Sequence, residues 1–311
     1  MLRLVVIGAG AHSAGNHLPA LAQYAAEHPG AVQLAALCDL QRERAAEMAA
    51  RFGFARVYTD LDEMLAREEP DGCIAVTPIP VTAEIAARVI GAGVPLCMEK
   101  PPGATMAEAR EVARLAAQPG ARVMVSVNRR FDPALRAALF WQGERRIECL
   151  RATIARVNRR EPDFMTGTAI HALDAMRYIA GYVRDLTAER RVVDGVRWYG
   201  VTLHFTSGAL GWLEVWPSCG SAVEAYEWCG AGYRVVARTG TYDDGTAQGW
   251  QGGECVWEFA SPPGTPEYVR NGAYGEVVEF VAALQEGRAP YPSPAAVLQS
   301  VELCHAISGD Y

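Results

Sequence analysis

Five short apolar runs mark the first part of the chain: 2–7 (LRLVVI), 32–38 (VQLAALC), 72–76 (GCIAV), 94–98 (VPLCM) and 122–127 (RVMVSV). Each is bounded by turn residues and is apolar almost throughout, which predicts strands buried on both faces. Between them, near 15–27, 41–51, 60–68, 80–91 and 105–117, lie segments rich in Ala, Leu, Glu and Arg with apolar residues at helical spacing. Strand and helix therefore alternate, which predicts right-handed crossovers and a parallel, doubly wound sheet: a Rossmann-type α/β domain over 1–128.

The texture changes after about residue 146. Longer alternating segments at 147–157, 196–206, 209–216, 222–229, 231–238 and 254–259, with TSGA and AGYR as turns, predict hairpins. They suggest an α+β domain over 129–311 with an open, largely antiparallel sheet and helices on one side. Trp198, Trp212, Trp216, Trp228 and Trp257 give that sheet an aromatic stripe, suited either to a core or to a second subunit. YGEVVEFVAALQEG and PSPAAVLQSVELCHAI carry helical spacing and are expected to pack as closing helices.

A length of 311 residues agrees with two domains. With 36 acidic against 29 basic residues, a formal charge of −7, the chain has no electrostatic footprint for nucleic acid or anionic lipid. No apolar run reaches the length of a membrane span, and LVVIGAGA stops being strongly apolar at Ile7, unlike a signal peptide. The eight cysteines are scattered without a CxxC pair, which predicts reduced thiols in a cytoplasmic protein and no metal site. The expected partner is a small molecule.

In a doubly wound sheet, ligands bind beyond the carboxyl ends of the strands. The first such end reads GAGAHS. Gly8 permits the tight turn, Gly10 lets backbone approach a pyrophosphate, and Ser13 is small enough for the third position of a GxGxxG pattern. Asp39 follows the second strand, where a carboxylate accepts hydrogen bonds from ribose hydroxyls and repels a 2′-phosphate. NAD is thus the expected cofactor, with Arg42 and Arg44 keeping NADP open; the alternative role for Asp39 is a helix cap.

Three more segments fall at strand ends: Thr77-Pro78, Glu99-Lys100-Pro101-Pro102 and Asn128-Arg129-Arg130-Phe131-Asp132-Pro133. Together with GAGAHS and HLPAL (His17 to Leu21), they resemble the Gfo/Idh/MocA family of NAD(P)-dependent oxidoreductases over nearly the whole chain. The resemblance implies cofactor contacts from Gly8, Gly10, Ala11, His12, Ser13, Asp39, Thr77, Pro78, Glu99 and Lys100. It places Lys100 at the catalytic centre and implies a cis peptide before Pro101. An ammonium suits that place, since it stabilises developing oxygen charge and can shuttle a proton.

The segment TAIHALDAMRYIAG (168–181) resembles the family's substrate-domain helix, with His171 as general base and Asp174 orienting it. Gly167 stands where the family pattern has an aspartate four residues before the histidine. Packing, or an ion pair between Asp174 and Arg177 or Arg184, is the alternative for the His171–Asp174 pair. Arg130 is a candidate substrate ligand or else a structural clamp, and Asn128, Arg156, Asn158, Arg159 and Arg160 form a basic group that either faces substrate or is solvated. The function implied is hydride transfer between nicotinamide and a sugar, polyol or related substrate, in a homodimer or homotetramer assembled through the C-terminal sheet. Two other readings are a reductase of another carbonyl or unsaturated compound and a cofactor-binding sensor without turnover.

Overall fold

A computed structural model describes residues 1–309. The chain divides into two compact units, Met1–Val127 with Ala273–Leu298, and Asn128–Gly272 with the segment from Gln299 onward.

In the first unit, β1 (Leu2–Ile7), β2 (Val32–Cys38), β3 (Arg56–Tyr58), β4 (Gly72–Ala75), β5 (Leu96–Glu99) and β6 (Val123–Ser126) form one sheet. All neighbours are parallel and the order is β3-β2-β1-β4-β5-β6. Helices α1 (Leu18–Glu27), α2 (Arg42–Phe52), α3 (Leu61–Glu68), α4 (Ile79–Gly91) and α5 (Met106–Ala116) make the crossovers. Helix starts follow local chemistry. Asp60 accepts the Glu63 N–H to open α3, and Thr105 with Glu108 forms a capping box on α5. The strand order reverses between β1 and β4, so that is where a ligand crevice opens.

β3 carries no apolar run because it is three residues long; its ends are fixed instead through Glu68. That buried carboxylate accepts from Arg3 at 2.7 Å, from Arg56 at 2.5 Å and from Tyr58 at 2.6 Å, tying β1 and β3 to the end of α3.

In the second unit, β7 (Cys149–Ala155), β8 (Val183–Val193), β9 (Val196–Phe205), β10 (Leu210–Trp216), β11 (Val223–Gly230), β12 (Tyr233–Arg238), β13 (Thr246–Gln251) and β14 (Glu254–Ala260) form a sheet. Its order is β14-β13-β12-β11-β7-β10-β9-β8, antiparallel except where β10 runs parallel to β7. Helix α6 (Pro133–Gln142) lies on β12 to β14, and α7 (Ile170–Ala180) on β7; the short α8 (Glu267–Arg270) follows β14. Alternation sends Tyr199, Val201, Leu203, Leu213, Val215 and Tyr226 to the buried face.

The tryptophans do not make one stripe. Trp228 is fully buried, and Trp257 stacks on Trp141 of α6 with ring centroids 5.6 Å apart. Trp198, Trp212 and Trp216 take the alternate positions and are half-buried, with Trp198 and Trp216 stacked at 6.1 Å. Neighbouring strands offset the period-two pattern by a residue, so equal residue types land on opposite faces.

The sequence reading ran the second domain unbroken from 129 to 311. In the structure, α9 (Ala273–Glu286) returns to the first unit, and α10 (Pro294–Ser308) begins there. The cause is apolar. Gly72 at the start of β4 leaves a hollow in which a Cβ would lie 2.7 Å from Leu284 Cδ1 and 3.1 Å from Phe280, so α9 sits hard against the sheet. Truncating this fully buried ring in Phe280→Ala is expected to cost about 3–5 kcal/mol; a urea midpoint unchanged from wild type would show that α9 does not hold the first unit together.

Candidate active site

The cavity at the strand-order reversal lies wholly in the first unit and has a volume of about 710 Å3. Its wall is built by the ends of β1, β2, β4 and β5, with Thr59, Asp60 and Leu61 after β3. After β1, Gly8 adopts φ +98°, and a Cβ there would lie 2.1 Å from the carbonyl oxygen of Val76, so only glycine fits this turn. Gly10 has no atom within 4 Å of where its Cβ would be, which leaves its backbone open to the cavity. Ser13 follows in a π-helical turn, Ser13–His17, leading into α1; its hydroxyl is buried and unpartnered among the described residues. An exposed peptide backbone and an orphaned donor at the start of a helix fit a phosphate group.

Asp39 at the end of β2 lines the same cavity. Burial works against its charge, but the N–H groups of Ala9 (2.7 Å) and Gln41 (2.9 Å) and one guanidinium nitrogen of Arg44 (2.7 and 2.9 Å) outweigh it. The carboxyl is therefore held below its usual value. Asp39 braces both the glycine turn and the start of α2. A ribose hydroxyl bound here would share these acceptor sites with Arg44, whose side chain is 40% exposed. Thr77 and Pro78 continue the wall after β4, where the Thr77 and Thr82 hydroxyls lie 3.1 Å apart.

At the end of β5, Glu99 and Lys100 close the far end, and the Lys100–Pro101 peptide is cis. Glu99 is buried. One of its oxygens accepts from His12 Nε2 at 2.9 Å and His17 Nε2 at 2.8 Å, and the other from the Lys100 N–H at 3.2 Å. Burial favours the neutral acid, yet the His12 charge and the two imidazole hydrogen bonds hold the carboxyl well below the usual range. His17 was visible in HLPAL, but nothing in its spacing shows that it reaches the end of β5.

In the second unit, His171 is half-buried in the first turn of α7. Asp174 does not stand open to a ligand. Both its oxygens bind Arg130, at 2.7 and 2.8 Å; Ser300 donates to one, and Arg177 lies 3.9 Å away. Arg130 and Asp174 are both buried, and each neutralises the other where water cannot. The basic group is likewise engaged. Arg159 pairs with Glu161, Arg160 with Asp194 and Arg156 with Glu224, while Asn128 accepts from Arg129.

Glu224, which no motif in the sequence marks, gathers two buried arginines in this unit. It is buried, with Arg129 bidentate at 2.6 and 2.9 Å, Arg156 on one oxygen and Tyr226 donating at 3.1 Å. Burial penalises its charge, but Arg129, Arg156 and, further out, His171 pull its carboxyl far below the usual range. Asp132, in contrast, is pushed up to about 6 by burial, although Gly240 and the first turn of α6 donate to it.

Comparison with known proteins places these features. Residues 2–127 match the Gfo/Idh/MocA profile described as an oxidoreductase family, NAD-binding Rossmann fold, and residues 158–308 match its C-terminal alpha/beta domain. The chain is 27% identical to a 4-carboxy-2-hydroxymuconate-6-semialdehyde dehydrogenase of a Sphingobium species, over 99% of this chain and 97% of that protein. It is 32% identical to a D-apiose dehydrogenase of Paraburkholderia graminis over 34% of this chain and 28% of that protein. A solved levoglucosan dehydrogenase in complex with NADH shares the fold, with TM-score 0.84 and 20% identity over 99% of this chain and 96% of the other. No helix among the described residues is long and apolar enough to cross a membrane.

The low Glu224 carboxyl makes a signed prediction. Its stabilisation is present above the usual carboxylate value and is lost as pH falls below that value toward the folded one. Glu224→Gln leaves two buried guanidiniums uncompensated and is expected to cost about 3–5 kcal/mol at neutral pH. The gap to wild type should narrow in acid, and urea unfolding across pH reads it; a gap independent of pH contradicts the assignment.

Proposed function

Because the chain belongs to the Gfo/Idh/MocA oxidoreductase family, we propose that it is a dehydrogenase of a carbohydrate-like CH–OH substrate, with Lys100 and His171 as its catalytic residues. The observation that carries this reading is the convergence of Gly8, Gly10, Asp39, Thr77, Glu99 and Lys100 on one cavity at the strand-order reversal. Bound NAD supplies the hydride acceptor.

The protein's part is binding, orientation and proton handling. Gly10 and Ser13 take the pyrophosphate, Asp39 the adenosine ribose, and Thr77 and Pro78 the nicotinamide end, with Ala11 and His12 completing that wall. Lys100 donates to the substrate oxygen as it becomes a carbonyl, stabilising charge where it develops. His171 accepts the hydroxyl proton. Arg130 and Asp174, bonded to each other, hold α7 rather than the substrate.

A sugar or polyol is favoured as substrate by two features: Arg129, Arg156 and Arg159 are already paired with carboxylates, and relatives include a D-apiose dehydrogenase. The relative spanning nearly the whole chain is instead named for a carboxylated semialdehyde, and Arg129 with Arg156 exceeds Glu224 by one charge, which supports an anionic substrate as the second reading. A substrate panel separates them: NADH formation with sugars but not with carboxylated aldehydes or hemiacetals supports the first. The half-buried Trp198, Trp212 and Trp216 support pairing of the sheet's outer face with a second copy, and cysteines without a CxxC pair support a cytoplasmic setting.

Lys100→Met is expected to lower turnover about 10²–10⁴-fold while NADH still binds; steady-state rates beside a fluorescence titration read both, and near-normal turnover removes Lys100 from the mechanism. Asp39→Ala is expected to shift the NADP-to-NAD specificity ratio upward by about tenfold, because the charge that repels a 2′-phosphate is gone and Arg44 is released toward it. An unchanged ratio places the ribose elsewhere.

A further inference from the structure

The trio His12, Glu99 and His17 has a gradient of exposure. The His17 and Glu99 side chains are 3% and 6% exposed, whereas that of His12 is 55% exposed and lines the cofactor cavity beside Lys100. Two imidazoles and a carboxylate, with donor atoms all within 4.8 Å of one another, have the composition of a metal site. The spacing argues otherwise. A tetrahedral zinc ion holds ligand nitrogens roughly 3.3 Å apart, given Zn–N bonds of about 2.0–2.1 Å. Here both imidazoles sit at hydrogen-bond distance, 2.8 and 2.9 Å, from one oxygen.

An ionised carboxylate only accepts, so each imidazole turns an Nε2–H toward Glu99. The Asn16 amide nitrogen lies 3.3 Å from His12 Nδ1, the position that a further proton would occupy. Of the two imidazoles, His12 is the one in reach of solvent protons.

We propose that His12 and Glu99, backed by His17, form a pH-dependent counter-charge that sets the preference of the cavity between NAD+ and NADH. This rests on the reading that the nicotinamide lies at the Lys100 end. With His12 neutral, the Glu99 carboxylate faces the positive pyridinium ring and favours NAD+. With His12 protonated the pair is neutral, and the advantage of NAD+ over uncharged dihydronicotinamide is lost. Other charged or titratable groups face this turn. Lys100 stands at the same strand end, and α9, packed on Ser13–His17, brings Tyr274 and Glu276, which are bonded to Glu27 and Ser126 respectively.

The experiment measures the affinities of wild type, His12→Gln and Lys100→Met for NADH, NAD+ and adenosine diphosphate ribose between about pH 5.5 and 8. NADH is followed by its fluorescence and the others by displacement. In wild type the ratio Kd(NADH)/Kd(NAD+) is expected to rise on the order of tenfold with pH. His12→Gln, which keeps a donor for Glu99 but cannot titrate, should hold the ratio flat, Lys100→Met should keep the slope, and the nicotinamide-free nucleotide should show none. A flat wild-type ratio, a wild-type slope in His12→Gln, or a slope that vanishes in Lys100→Met overturns the proposal. If the reduced and oxidised cofactors bind no more tightly than adenosine diphosphate ribose, the placement of the nicotinamide fails, and the proposal fails with it.

Discussion

A side chain cannot be placed at residue 8. The carbonyl oxygen of Val76 occupies the space at 2.1 Å, and the backbone turns through φ +98° to pass over it. That close approach lets the end of β1 lie against the end of β4 while the chain leaves at once into the next helix. The cavity is the space left in front of this turn, with Asp39 one strand to one side and Thr77, Glu99 and Lys100 to the other. Parallel strands lie about 4.8 Å apart, so the four strand ends from β2 to β5 span roughly 14 Å.

Around this geometry the protein buries carboxylates in two ways. An ionised carboxylate out of water is tolerated only with several donors around it. Glu68, Asp174 and Glu224 receive theirs from arginines and hydroxyls in packing roles, which tie strands to helices. Asp39 and Glu99 differ in that one partner of each, Arg44 or His12, lines the cofactor cavity. Both of these partner side chains reach solvent, at 55% exposed for His12 and 40% for Arg44. The identity and place of the partner, and not burial of the carboxylate, distinguish the two groups.

The same distinction explains what could be read from the sequence. The glycine turn, Asp39, Thr77-Pro78 and Glu99-Lys100 were legible because each follows a buried apolar strand, and strand ends in a doubly wound sheet converge by topology alone. β8 and β13 were not, because VRDLTAERRVV is charged along an edge strand and TAQGWQ is polar and glycine-containing, so neither carries an apolar alternation. The return of α9 to the first unit was hidden for another reason: it depends on a hollow at Gly72, about 200 residues earlier in the chain. Arg130 and Asp174 look like ligands in sequence since charged residues beside a histidine suggest chemistry, and their pairing with each other across 44 residues carries no local signal.

Gly167 stands where the sequence resemblance leads one to expect an aspartate four residues before His171. It lies in the π-helical turn Met165–Ala169, with its N–H donating to the Asp163 carbonyl at 2.7 Å. The helix thereby lacks a carboxylate one turn before His171. The neighbourhood of His171 does not lack one. Glu224 on β11 is held ionised by Arg129 and Arg156, and His171 is close enough to add to that field. The carboxylate whose field reaches His171 thus stands on the sheet and not on the histidine's own helix, and Arg129 and Arg156 hold it ionised.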